Sequence, residues 1–236
     1  MKIEGPLIPA TFVERPNRFI TLVSIDGDIH RSHLPDPGRL KELLVSGADL
    51  LVRQAPKNSN RKTRYTTVMV NHDGQLISLV SSLPNQFVGL ALKNNELPML
   101  DGHTLIRPEI PVGRHRFDFL LKSPIGSDFY LEVKSVTFVK NGVAQFPDAV
   151  TERGKNHAKA LKKLVQNGYE AGILFVCQRP DASSFRPMWE RDPKLAEAVL
   201  DARNAGVNVW CITLNVSKTE ITFNQEIPVN LEIAEN

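Results

Sequence analysis

The stretch that decides the fold is a pair of segments, RFDFLL at residues 116–121 and YLEVKS at residues 130–135. Both segments place polar residues between apolar ones, which predicts two β-strands joined through residues 122–128. Because side chains alternate across a strand, Glu132 and Lys134 are expected to share one face. The second segment therefore presents a carboxylate and an ammonium group on the same side of a sheet.

The first segment supplies a second carboxylate. Phe117 and Phe119 are expected to face one way and Asp118 the other. If the two strands pair, Asp118 lies beside Glu132. Two carboxylates held together repel each other unless a cation joins them, and hard oxygen ligands suit Mg²⁺ or Mn²⁺. The two strands therefore predict a divalent metal site on the face of one hairpin.

The chemistry expected of this cluster is hydrolysis of a phosphodiester. We interpret Asp118, Glu132 and Lys134 as catalytic residues, with Asp118 and Glu132 also binding the metal. The lysine would orient a water molecule or offset charge on a phosphoryl transition state. Glu109 is a candidate third metal ligand, unless it is an ordinary glutamate at the edge of a loop. The alternative for the whole cluster is a surface hairpin with a simple Glu–Lys pair.

Helical and strand patterns alternate around the two segments. We expect strands within residues 104–107, 116–121, 129–139, 171–177 and 207–214, and helices within residues 87–97, 151–166 and 192–205. This order predicts an α/β domain with a mixed sheet over residues 83–236. With an Asp ahead of the ExK triplet, the order resembles the PD-(D/E)xK nuclease fold. Phe117 stands where that motif has proline, a residue with no chemical part in the reaction.

The first third of the chain has the pattern of a small barrel. Short strands are expected within residues 7–14, 18–25, 28–34, 49–54, 65–70 and 75–80, with a helix over residues 39–45. Asp26-Gly27 predicts a tight hairpin between the second and third strands. Strands interrupted by one short helix are typical of an OB-like Greek-key barrel. We assign residues 1–82 to this domain.

The excess positive charge lies in that first domain. Residues 1–80 hold 11 Lys/Arg and 8 Asp/Glu, which accounts for the whole formal net charge of +3. Clusters of basic and amide side chains suit phosphates. The candidate DNA contacts are Lys57, Arg61, Lys62 and Arg64 in one loop, Arg39 near the predicted short helix, and Arg153 and His157 on the helix after the ExK strand. The alternatives are a solvated loop and a buried, hydrogen-bonded histidine.

Several classes of protein are excluded by composition. No apolar run approaches the ~20 residues that span a bilayer, and the first residues lack the apolar core of a secretory signal. Cys177 and Cys211 each lie in an apolar, strand-like run, which favours buried free thiols. The cytoplasm is the default compartment for such a chain. We expect no membrane partner, and we leave the oligomeric state open, with a homodimer as one option.

Motifs along nearly the whole chain together resemble those of the sugar fermentation stimulation protein A family. They are NRF (17–19), PGRLKELL (37–44), RKT (61–63), PN (84–85), DFLL (118–121), EVKSV (132–136), FPDA (146–149) and RGxxH (153–157). The resemblance implies an OB-like domain, a nuclease-like domain and DNA binding with little sequence preference. The family name adds a regulatory role in sugar (maltose) metabolism.

Three functions are therefore compared. The first is a DNA-binding protein, linked to sugar metabolism, that carries a nuclease-like metal site. The alternative is an active Mg²⁺- or Mn²⁺-dependent nuclease, which the presence of Asp118, Glu132 and Lys134 together favours. The third is a sugar-metabolism protein without a nucleic-acid partner, for which the sequence has no feature of its own.

Overall fold

A computed structural model describes residues 1–56 and 58–233. The candidate DNA contact Lys57 lies outside the described residues. Among those residues, no helix is both long and apolar enough to cross a membrane. The chain folds into a barrel followed by an α/β domain.

The first domain is a closed β-barrel. Its strands are β1 (Leu7–Asn17), β2 (Ile20–Ile25), β3 (Asp28–His33), β4 (Asp49–Gln54), β5 (Tyr65–His72) and β6 (Gln75–Ser78). They pair in the order β3-β2-β1-β4-β5-β6, and β3 also pairs with β5, which closes a five-stranded ring. Asp26 and Gly27 have φ of 52° and 91°, as a type I′ hairpin turn requires. The expected hairpin and barrel are therefore confirmed.

The helix expected over residues 39–45 is absent. Turns occupy this segment, and Leu40 has φ of 50°, a left-handed conformation that a right-handed helix does not contain. The guanidinium of Arg15 holds the segment from outside by donating to the carbonyls of Gly38 (2.6 Å) and Arg39 (2.7 Å). The side chains of Leu40, Leu43 and Leu44 are nevertheless buried in the barrel core. Long-range contacts thus override the local helical pattern.

The second domain is built on a six-stranded mixed sheet. Its elements are α1 (Leu83–Lys93), β7 (Thr104–Val112), β8 (His115–Lys122), β9 (Asp128–Val136), β10 (Val139–Lys140), β11 (Val143–Phe146), α2 (Glu152–Gln166), β12 (Glu170–Cys177), β13 (Ser184–Pro187), α3 (Pro193–Asn204), β14 (Asn208–Val216) and β15 (Ile221–Ile227). The main sheet has the order β15-β14-β12-β9-β8-β7, and β10, β11 and β13 form a smaller sheet. The pairs β9–β12 and β12–β14 are parallel, as the buried apolar runs predict.

Side-chain caps mark the N-terminal ends of α2 and α3. The side chain of Thr151 accepts from the backbone N–H of Gly154 (3.1 Å) and that of Asp192 from Leu195 (3.1 Å). Helix α1 differs from the prediction because it begins four residues earlier, at Leu83, and ends at Lys93. The strand expected to reach residue 139 ends at Val136. Periodicity locates these elements but not their ends.

The sheet separates two apolar cores. One core lies between the sheet and α1, and the other lies between the sheet and the pair α2 and α3. Leu131 and Val133 lie in the α1 core. Phe119 joins them, but Phe117 lies in the opposite core with α2, so the expectation that both phenylalanines face one way is wrong.

The physical reason for the switch lies on the neighbouring strand. In β7, Glu109 has φ of 52°, and it stands between the residues that pair with Phe119 and Phe117. A left-handed residue interrupts the regular alternation of a strand. The irregularity therefore falls beside Asp118, where β8 changes face.

Candidate active site

Strands β8 and β9 separate at the predicted carboxylates. The last pair of their antiparallel ladder is Phe119 with Leu131. The next residues along the two strands are Asp118 and Glu132, which extend beyond this last pair. A fork in the sheet leaves backbone donors unpaired and opens space for side chains between the strands. Asp118 uses one of these donors.

Both oxygens of Asp118 accept hydrogen bonds. Oδ2 accepts from the backbone N–H of Val133 (2.7 Å), and Oδ1 accepts from Nδ2 of Asn85 in the first turn of α1 (2.6 Å). Burial raises the pKa of Asp118 to about 6, and the nearby charge of Glu132 adds to the effect. The carboxylate is thus held in one orientation and lies close enough to Glu132 to feel its charge. Each oxygen keeps a second lone pair for a ligand.

Glu132 is almost completely buried, with 3% of its surface exposed. Its Oε1 accepts from Nζ of Lys134, and Nδ1 of His157 lies 2.5 Å from the same oxygen. Burial raises the pKa of Glu132, but the contacts with His157 and Lys134 outweigh it and hold that pKa below its usual value. Glu132 therefore gives up its proton more readily than Asp118.

The second oxygen of Glu132 is an atom of the site that is available to a ligand. Within the part of the chain that the structure describes, Oε2 is shielded from solvent and has no hydrogen-bond partner. A buried acceptor without a donor is costly. A cation bound between Asp118 and Glu132 would satisfy it, and carboxylate oxygens are the ligands that Mg²⁺ and Mn²⁺ prefer. The donor set of the two residues therefore fits such an ion.

Known proteins were compared with this chain. Residues 13–79 match the family model of the SfsA N-terminal OB domain, and residues 82–220 match that of the sugar fermentation stimulation protein RE domain. A sugar fermentation stimulation protein homolog of Acetivibrio thermocellus is 42% identical over 232 residues, covering 97% of this chain and 99% of its own. The corresponding protein of Clostridium botulinum (strain Alaska E43) is 40% identical over 220 residues, covering 93% and 95%.

This chain belongs to the sugar fermentation stimulation protein family. Its structure is also similar to that of Pyrococcus furiosus SfsA in complex with Ca²⁺, with a TM-score of 0.88, 31% identity and 98% of each chain covered. The family and the expected fold class, an OB-like barrel followed by an α/β domain with a mixed sheet, are both confirmed.

His157 connects helix α2 to the site. The ring is buried, and it packs edge-on against Phe117 and His115 with centroid distances of 5.6 Å to each. The sequence left open whether this histidine faces the site or is a hydrogen-bonded core residue, and the structure combines both. Its contact with Glu132 fixes the carboxylate through α2 rather than through the hairpin.

Glu109 is not brought to the carboxylate pair. Its side chain is 69% exposed, and Oε2 lies 3.6 Å from Nη1 of Arg116. Among the described residues, no group of three His, Cys, Asp or Glu side chains is arranged to hold a metal ion. The structure thus presents two carboxylates, with Asn85 and His157 as their supports. Sequence reasoning gave no role to Asn85, although it belongs to the PN motif at residues 84–85.

The basic candidates divide between the two domains. Arg61, Lys62 and Arg64 are exposed in the loop between β4 and β5. Arg153 is exposed in the first turn of α2. Arg39 is exposed beside the domain junction, where its backbone N–H donates to Oδ2 of Asp148 (2.5 Å). The side chains of these residues are therefore accessible to a ligand in solution.

Proposed function

We propose that this protein is a divalent-metal-dependent phosphodiesterase that binds DNA with little sequence preference and cleaves it in the cytoplasm. The observation that carries the proposal is that Oε2 of Glu132, beside Asp118, is buried and has no hydrogen-bond partner in the described part of the chain. The relative from Pyrococcus furiosus, solved in complex with Ca²⁺, supports a divalent ion in this fold. The two buried free cysteines are consistent with a reducing compartment.

Asp118 and Glu132 are the residues that would hold Mg²⁺ or Mn²⁺. The bound ion supplies Lewis-acid polarisation of the phosphate and lowers the pKa of water. Asn85 and the backbone N–H of Val133 keep the Asp118 carboxylate in place, and His157 does the same for Glu132. This preorganisation avoids reorienting the ligands during the reaction.

Lys134 carries the positive charge of the site. Its ammonium group donates to Glu132, and its side chain is 16% exposed. In the hydrolysis, a water oxygen bonds to phosphorus while one P–O ester bond breaks. One product is a phosphomonoester and the other an alcohol, whose oxygen takes up a proton in place of the one that the attacking water loses. Lys134 offsets the negative charge that accumulates on the phosphoryl oxygens.

A panel of duplex, single-stranded and branched DNAs, incubated with Mg²⁺ or Mn²⁺, tests the proposal. We expect wild type to cleave at least one DNA and Asp118→Asn to lose at least ~100-fold in rate. Asp128→Asn is the matched control, because Asp128 is a carboxylate on β9 paired with Lys122 (2.8 Å) at the far end of the hairpin. Absence of cleavage by wild type, or equal cleavage by Asp118→Asn, would contradict the proposal.

A second candidate is a DNA-binding regulator that does not cleave. Two observations favour it. Lys134 and His157 both contact Oε1 of Glu132, which leaves that oxygen less available to a metal ion. Among the described residues, no third acidic side chain joins Asp118 and Glu132. The family name links such a role to sugar metabolism. In this case the same panel shows salt-dependent binding and no cleavage with either metal.

A further inference from the structure

A groove runs between helix α2 and the turn that joins β7 to β8. Its volume is about 430 Å³. Ala160 and Leu164 contribute an apolar floor, whereas Arg114, His115, Lys159 and Lys163 stand along its sides. We call this feature the α2 groove. No described Asp or Glu lines it, so its charge is positive.

Among the described residues, the cations of the α2 groove form no close ion pair, although the hydrogen bond from Lys155 and the charge of Lys159 help to lower the pKa of Glu152. Arg114, Lys159 and Lys163 are exposed and form no ion pair within the described residues. Other lysines of the same helix form ion pairs. Nζ of Lys155 lies 2.6 Å from Oε2 of Glu152, and Nζ of Lys162 lies 3.1 Å from Oδ2 of Asp201. Because the lysines on the groove side of α2 are not paired in this way, the positive surface of the helix is concentrated at the α2 groove.

The groove adjoins the carboxylate pair. The ring of His115, on its wall, packs edge-on against His157 at 5.6 Å, and His157 contacts Glu132. Lys163 lies six positions after His157 along α2, a rise of roughly 9 Å. Burial lowers the pKa of His115, the nearby His157, Arg114 and Lys163 lower that pKa further, and Glu132 opposes them. The groove cations therefore act at the edge of the site.

We infer that the α2 groove binds the phosphate backbone of the DNA strand next to the scissile phosphate. This inference rests on the proposed function and names the surface that positions its substrate. Lysine and arginine side chains neutralise phosphates without reading base sequence, and the apolar floor suits the sugar between them. The groove lies in the second domain, whereas the basic loop with Arg61, Lys62 and Arg64 lies in the barrel.

The test is DNA binding measured in EDTA, so that the strand is not cut. Fluorescence anisotropy of labelled single-stranded and duplex oligonucleotides is recorded over a range of KCl concentrations. The groove variant is Arg114→Ala combined with Lys163→Ala. The matched control is Lys93→Ala combined with Lys162→Ala, which removes the same charge from α1 and from the α3 side of α2. Circular dichroism confirms that each variant is folded.

We expect the slope of log K against log [KCl] to fall in the groove variant by about 1.4 for single strands and about 1.8 for duplex, which corresponds to two lost phosphate contacts. The control keeps the wild-type slope. A groove variant with the slope of the control overturns the inference, even if wild type binds and cleaves DNA. A wild type that does not bind DNA overturns the proposed function as well, so the two failures are distinguishable.

Discussion

Two pairs of neighbouring carboxylates, each with one buried member, can be compared among the described residues, and one of these pairs is a candidate metal site. Asp36 and Asp148 meet at the junction of the two domains, and Asp118 and Glu132 meet at the fork between β8 and β9. In both pairs burial raises the pKa of one aspartate to about 6, and the neighbouring carboxylate adds to the effect. A raised pKa therefore does not distinguish a functional site from a structural one.

The difference lies in the hydrogen-bond partners. At the junction, Oδ1 of Asp36 accepts from the backbone N–H of Gly38 (2.8 Å), and Oδ2 of Asp148 accepts from that of Arg39 (2.5 Å). The guanidinium of Arg15 donates to carbonyls of the same segment. The bond between Arg39 and Asp148 thus joins one domain to the other, and each junction carboxylate has a main-chain donor. At the fork, Oε2 of Glu132 has no donor within residues 1–56 and 58–233. An unsatisfied acceptor, rather than acidity, marks the pair that is open to a cation.

The largest expected contrast between the pairs is in metal binding. Mg²⁺ or Mn²⁺ at 100 times its dissociation constant stabilises the protein that binds it by about 2.7 kcal/mol. For a chain of this size, this corresponds to a rise of roughly 5–10 °C in the thermal unfolding midpoint. We expect this rise in wild type and Asp148→Asn and its loss in Glu132→Gln. Equal metal-induced shifts in all three proteins would break the distinction.

The sequence predicted the carboxylates at the fork more successfully than the junction, although it predicted strands that stay paired there. Strand alternation placed Asp118 and Glu132 on neighbouring strands, and the turn residues Asp26-Gly27 predicted the barrel hairpin. These features depend on contacts close in sequence. The junction depends on Arg15 and Asp148, which lie far from Gly38 along the chain. No local pattern could show that they replace the expected helix with a turn.

Within the site, the missing information is the change of face in β8. Alternation predicts that Phe117 and Phe119 face the same way, but the left-handed backbone of Glu109 on the adjacent strand removes that regularity. The contact of His157 with Glu132 likewise requires the packing of α2 on the sheet. The sequence thus predicted the two carboxylates of the site, but not the hydrogen bonds from Asn85 and His157 that hold them in place.

The next contrast concerns pH. The pKa of Asp36 is raised from 3.8 to about 6 in the folded protein, so folding takes up a proton between these pH values. Stability from this residue is therefore greatest at low pH and falls as the pH rises through about 6. Asparagine has no charge to bury. At 1.36 kcal/mol per pKa unit, we expect Asp36→Asn to be more stable than wild type by roughly 2–3 kcal/mol at pH 7 and about equal at pH 4.

Urea unfolding at several pH values measures this difference. The comparison uses the change in free energy of unfolding between variant and wild type, because Asp118 contributes a similar pH dependence to both proteins. If the difference in free energy of unfolding between Asp36→Asn and wild type is the same from pH 4 to pH 7, Asp36 is not the titrating group. Cleavage and metal binding should be unchanged, since the site at the fork is intact.

The smallest effect is expected from Gly38→Ala, which tests how tightly the junction is packed. A Cβ at this position would lie 2.5 Å from Oδ2 of Asp148 and 2.9 Å from Oδ1 of Asp36. Forcing these oxygens away lengthens their hydrogen bonds to the main chain, and such overpacking costs about 1–3 kcal/mol. In an Asp148→Ala background the nearest clash is gone, so the same substitution should cost less. A double-mutant cycle measures this coupling, and additive effects would show that Gly38 is not held by the carboxylates.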